Sequence, residues 1–119
     1  MVLLLEHGSA KLLWAGSIPA EVERELVLQC GSDLQAGVLV QGPAKRGEAN
    51  LTREWLETVQ PRTVVRWSRV LEEDTSLSVD FAEVAWMEGI ELLKLEETGC
   101  LTLTPDPRNG NWVTRGWKR

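Results

Sequence analysis

The side chains that could carry chemistry are few and scattered. There is one histidine, His7, and two widely separated cysteines, Cys30 and Cys100. Hydrolytic zinc needs about three protein ligands and a water, so a lone histidine in a Gly-Ser turn reads as a solvated surface residue. The cysteines match no metal or redox spacing and are expected to be reduced core or near-core residues. Serine hydrolysis has no Gly-x-Ser-x-Gly elbow and no second histidine to build on. Gly42-Pro43-Ala44-Lys45-Arg46-Gly47 has a phosphate-friendly composition but lacks the Gly-Lys-Ser/Thr of a P-loop. The acidic triplet Glu72-Glu73-Asp74 could offer oxygens to Ca²⁺ or Mg²⁺, against the plainer expectation of a solvated charged loop.

Charge sets a second bound. The formal net charge is -5, which opposes generic binding to a phosphate backbone. Basic residues nevertheless cluster at Lys45-Arg46, at Arg66 and Arg69, and in the tail from Arg115 to Arg119. Lys45, Arg46, Arg66 and Arg69 follow neighbouring strand ends and are the candidate contacts to single-stranded DNA. Trp112 and Trp117 beside the basic tail are a second candidate, as a stacking platform, with ordinary packing of a last hairpin favoured.

The elements that would position these residues are legible from periodicity. Val2–Glu6 and Lys11–Ala15 read as strands around the turn His7-Gly8-Ser9. Ser17 is expected to cap a helix carrying Val22, Leu26, Val27 and Cys30 at helical spacing, with Glu21 and Glu23 suiting its positive end. The continuous run Val38-Leu39-Val40 reads as a strand buried on both faces. Leu51, Trp55, Leu56 and Val59 line a second helix, which Pro61 stops. Thr63–Trp67 is the next strand. Asp80 or Ser78 is expected to cap a third helix with Phe81, Val84, Ala85 and Met87, ended by Gly89. Ile90–Leu95 and Cys100–Thr104 follow as strands, and Asn109-Gly110 is a hairpin signal that folds Trp112–Trp117 back on the preceding strand. The order β-β-α-β-α-β-α-β-β-β predicts an α/β fold with a mostly parallel mixed sheet, helices packed on it and a C-terminal antiparallel hairpin, in one domain over residues 1–119. No apolar run approaches the roughly 20 residues of a membrane helix, and the abrupt apolar opening suggests a piece of something longer.

Three strand ends carry a family resemblance: Leu12-Leu13-Trp14-Ala15-Gly16-Ser17, Val38-Leu39-Val40-Gln41-Gly42-Pro43-Ala44-Lys45 and Pro61-Arg62-Thr63-Val64-Val65-Arg66-Trp67. Their order and spacing resemble the C-terminal half of the metallo-β-lactamase-type domain of ComEC/Rec2-family DNA-internalisation (competence) proteins. The resemblance spans roughly Val2 to Thr104 and implies half of an αββα sandwich. In that family the first segment ends in Thr-Gly-Asp, the second in His-His-Gly-Ser, and a Gly-His-Pro follows the third. Here Ser17 stands at the Asp position, Pro43 and Ala44 stand at the two His positions, and Gly-His-Pro is missing. The resemblance therefore implies vestigial metal-site positions at Ser17, Pro43 and Ala44, with no catalytic residue, metal or cofactor. Trp14 and Trp67, at two of these strand ends, are candidates to fill the space a metal and water would take, or to be plain core aromatics.

What the resemblance implies for function is a non-catalytic scaffold, dimerisation or DNA-contact module in the soluble part of a bacterial inner-membrane DNA-uptake protein, on an unspecified side of the membrane and without lipid contact of its own. Its partners would be a second copy, the remainder of the parent protein, or single-stranded DNA held weakly. Two alternatives stand beside it: half of a metal-dependent hydrolase or nuclease whose ligands lie in a missing N-terminal part, and an unrelated α/β protein-interaction module. An uncovered sheet face is also expected to promote self-association.

Overall fold

A computed structural model describes residues 2–45, 48–67, 78, 80–95, 100–106 and 112–117, with the backbone alone for 113–117. Its elements follow the expected order: β1 (Leu3–His7), β2 (Ala10–Gly16), α1 (Ala20–Cys30), a 3₁₀ turn (Gly31–Leu34), β3 (Val38–Gln41), α2 (Arg53–Val59), β4 (Thr63–Arg66), α3 (Phe81–Glu88), β5 (Glu91–Lys94), β6 (Cys100–Pro105) and β7 (Trp112–Trp117). The five-stranded sheet runs β1-β2-β3-β4-β5. β1 pairs with β2 antiparallel, and β2 through β5 are parallel neighbours. The chain is thus α/β with a mostly parallel mixed sheet and a C-terminal antiparallel hairpin, β6-β7.

Strand alternation sorts the side chains onto two faces. Leu13, Ala15, Leu39 and Val64 turn toward the helices and form one core with Trp55, Leu56 and Val59 of α2 and Phe81 and Val84 of α3. The successive β-α-β units step across the sheet in sequence order, so all three helices share that face. Leu12, Val38, Val40 and Val65 form a second, smaller core on the opposite face, packed by Trp67, Leu101, Leu103 and Trp112. The terminal hairpin is pinned there by a hydrogen bond from Trp112 Nε1 to the carbonyl of Lys11 at 2.8 Å. Trp112 therefore packs the hairpin on the sheet. No helix among the described residues is long and apolar enough to cross a membrane.

Several local expectations are corrected. α1 is entered through Pro19 with no side-chain cap, and Ser17 lies exposed outside the helix. Asp80 precedes α3 without capping it through its side chain, whereas the carbonyl of Ser78 accepts from Phe81 N at 3.0 Å. Met87 is exposed on the outer side of α3 together with Trp86, whereas Phe81 and Val84 are buried in the core and Ala85 packs against it. Cys30 and Cys100 are both exposed free thiols. Cys30 is the last residue of α1, and Cys100 sits on the outward side of an alternating strand. The acidic triplet, the Asn109-Gly110 turn and the basic tail at 118–119 lie outside the described residues.

Candidate functional site

The C-terminal ends of β2, β3 and β4 converge at one pole of the sheet. Gly16, in the left-handed region at φ 66°, turns the chain out of β2. Its carbonyl accepts from Gly42 N at 2.7 Å, which ties the ends of β2 and β3 together. Trp67, just beyond β4, lies across Gly42: a Cβ there would sit 2.3 Å from the indole Cε2 and 2.7 Å from Ser17 Oγ. The same indole stacks on Trp14, with centroids 5.6 Å apart and ring planes 22° apart. Only the absence of a side chain at residue 42 lets this layer form. Ser17, Gly42, Trp14 and Trp67 are thereby brought together, while Pro43 and Ala44 are buried.

Directly beneath, on the helix side, lies a polar network that no motif announced. Glu23 is fully buried. Its Oε2 accepts from Leu51 N at 2.7 Å and from Gln41 Nε2; its Oε1 accepts from Thr52 N at 3.1 Å and Thr52 Oγ1 at 3.0 Å. Gln41 Oε1 in turn accepts from Trp55 Nε1 at 2.8 Å. Asn50 donates through Nδ2 to the carbonyls of Ile18 and Gly42, each at 2.9 Å, and accepts from Arg66 Nη1 at 2.9 Å. Leu51 occupies the left-handed region at φ 58°, which costs a non-glycine residue about 1–2 kcal/mol. The Glu23 carboxylate holds the neighbouring amides in that conformation. The loop from Gly42 to Thr52 is thus fastened at both ends to α1, β3 and β4.

Arg66 is the main correction to the expected nucleic-acid rim. It is 1% exposed, because alternation along β4 turns it to the same face as Val64, under the helices. Lys45 is exposed as expected, and Arg46 and Arg69 lie outside the described residues. The four residues therefore do not form one exposed rim.

Burial pushes the Glu23 carboxyl pKa up, against the four donors that favour its charged form. Chemically the network offers little to a substrate: among the described residues every buried side-chain nitrogen and oxygen has a hydrogen-bond partner. No group of three or more His, Cys, Asp or Glu side chains converges among those residues either. What the arrangement does is hold a loop and close a pole. An open cleft of about 290 Å³ at the opposite ends of the strands is lined mainly by polar residues including Lys11, Gln35, Gln60 and Arg62.

Glu23, Gln41, Asn50 and Trp55 were missed as a unit in the sequence, yet two signals were there. Glu23 occupies the apolar spacing of Leu26, Val27 and Cys30, and Gln41 extends a strand whose every residue is buried. A scan against protein-family models finds no match for this chain, and a search of curated proteins finds none either.

Proposed function

We propose that this chain is a non-catalytic, metallo-β-lactamase-like domain of a DNA-uptake membrane protein, and that it serves as an assembly scaffold. The observation that carries the proposal is the filling of the strand-end pole. Where the resembled hydrolases hold metal, this chain stacks Trp67 on Trp14 over a bare glycine. It buries Pro43 and Ala44 in place of ligands and keeps an internally satisfied network below them. Hydrolysis by a metal centre needs about three protein ligands and a water, and tryptophan, proline and alanine side chains provide no ligand.

Two features support the parentage. The α/β frame carries the three strand ends in the order and at the spacing of the resembled family. The sheet also has a second face on which the partner sheet of an αββα sandwich would pack, and here β6-β7 covers only part of it. A scaffold role fits the net charge of -5 better than a DNA-gripping one.

Metal analysis of protein purified without chelator tests the proposal. Substoichiometric zinc and manganese are expected. One equivalent of either, lost on mutation of Ser17 or its neighbours, would replace this proposal with that of a hydrolase half.

A further inference from the structure

The two edges of the five-stranded sheet are built differently. β5 ends the sheet with Glu91 and Lys94 in a four-residue strand, the kind of short, charged edge that resists pairing with another chain. β1 ends it with Leu3-Leu4-Leu5, free of proline, lysine and bulge. Its one carboxylate, Glu6, is at the far end and lies directly opposite Lys11 of β2. The apolar side chains are also bare: Leu3 is 45% exposed, Leu5 54%, and Trp14, the cross-strand partner of Leu3, 42%. An unguarded apolar edge of this kind is a template for strand addition.

We infer that β1 pairs antiparallel with β1 of a second copy of this chain, across a two-fold axis through Leu4, to form a continuous ten-stranded sheet. The strand is self-complementary in this register. Leu4 faces its own symmetry mate, Leu3 faces Leu5 of the other copy, and Glu6 falls opposite Val2. The two Glu6 carboxylates thus lie at opposite ends of the ladder and no like charges meet, as an isologous contact requires. On one face Leu3 and Leu5 from both copies form an apolar row flanked by Trp14. On the other, Leu4 continues the side of the sheet that carries Leu13. A ladder this short makes about five backbone hydrogen bonds and stays below the size of a permanent interface, so a reversible, concentration-dependent dimer is the expected form. The inference gives the scaffold reading a partner, yet it rests on the β1 edge alone and would survive a positive metal analysis.

The test uses the whole chain with Cys30→Ser and Cys100→Ser, since both native thiols are exposed. Sedimentation should show a monomer–dimer equilibrium, abolished by Leu3→Lys with Leu5→Lys while circular dichroism stays unchanged. In the cysteine-free background, oxidation of Leu4→Cys with copper–phenanthroline should give a disulfide-linked dimer, since the two copies lie directly opposite, and Leu3→Cys, whose copies are diagonal neighbours about 7–8 Å apart, should give at least tenfold less. A strict monomer at the highest concentration reached, a dimer that survives the lysine pair, or equal cross-linking from residues 3 and 4 would each overturn the inference.

Discussion

Trp67 lies so close over Gly42 that a methyl group on the glycine would come within 2.3 Å of the indole. This contact joins the ends of β3 and β4 and supports the stack on Trp14. Substituting Gly42 by alanine should force the indole off its partner and cost about 1–3 kcal/mol, the usual range for overpacking. Denaturant unfolding of Gly42→Ala measures the cost. In a Trp67→Ala background the same change should be cheaper, because the two nearest atoms, both of the indole, are then gone. An equal cost in both backgrounds would place the strain in the backbone instead.

Glu23 should resist even its closest replacement. Each carboxylate oxygen accepts from two donors, so the amide nitrogen of Glu23→Gln meets two donors whichever way it turns. An unsatisfied buried group costs about 1–3 kcal/mol, and the loss should be read as a lower denaturation midpoint.

The same residue makes a pH prediction. Burial holds the folded-state pKa of Glu23 above its unfolded value. The stability this group contributes is therefore complete below the unfolded pKa and is lost as pH rises through the folded one. The difference in unfolding free energy between the parent protein and Glu23→Gln should widen as the pH is lowered toward the ordinary carboxyl value of 4.5. Comparing the two proteins cancels the titration of all other groups. A narrowing difference would mean that the four donors outweigh desolvation.

The frame of this protein was legible because local signals agreed with one another. Val38-Leu39-Val40 as a buried strand and Gly89 at the end of α3, in the left-handed region, both lie where the local signals put them. The interior of the candidate site was not legible, since its partners are 8 to 32 residues apart in the chain and meet only once the sheet is ordered. Glu23 read as a charge suited to a helix N-terminus, and Arg66 as a cation on a rim. Both judgements used charge where strand and helix phase decided the outcome: position 23 falls on the inward stripe of α1, and position 66 on the helix side of β4.

Arg66 and Asn50 should behave as a coupled pair. Removing the acceptor by Asn50→Ala leaves a buried guanidinium short of a bond at 2.9 Å and also frees the carbonyls of Ile18 and Gly42. A loss of about 2–4 kcal/mol is expected, since bonds to charged groups are worth about 1.5–3. Arg66→Met removes the charge together with its need for partners. The double variant should therefore be more stable than the sum of the single losses predicts, by about 1 kcal/mol or more. Strict additivity in a double-mutant cycle would show that the pair is not a unit.

Contact with single-stranded DNA should be weak and should depend on the loop after β3. The net charge of -5 opposes approach, and burial removes Arg66 from any contact surface. Exposed Lys45 remains, with Arg46 beside it in sequence. Two or three phosphate contacts on a single strand give a log–log salt slope of about -2, so binding seen at low salt should fade near physiological salt. Charge reversal at Lys45 and Arg46 together should abolish it, while neutralising Arg115 and Lys118 should leave it intact. Fluorescence anisotropy with a labelled oligonucleotide distinguishes the cases. Sensitivity to the second pair alone would move the contact to the terminal hairpin, and no binding at low salt would leave assembly as the work of this domain.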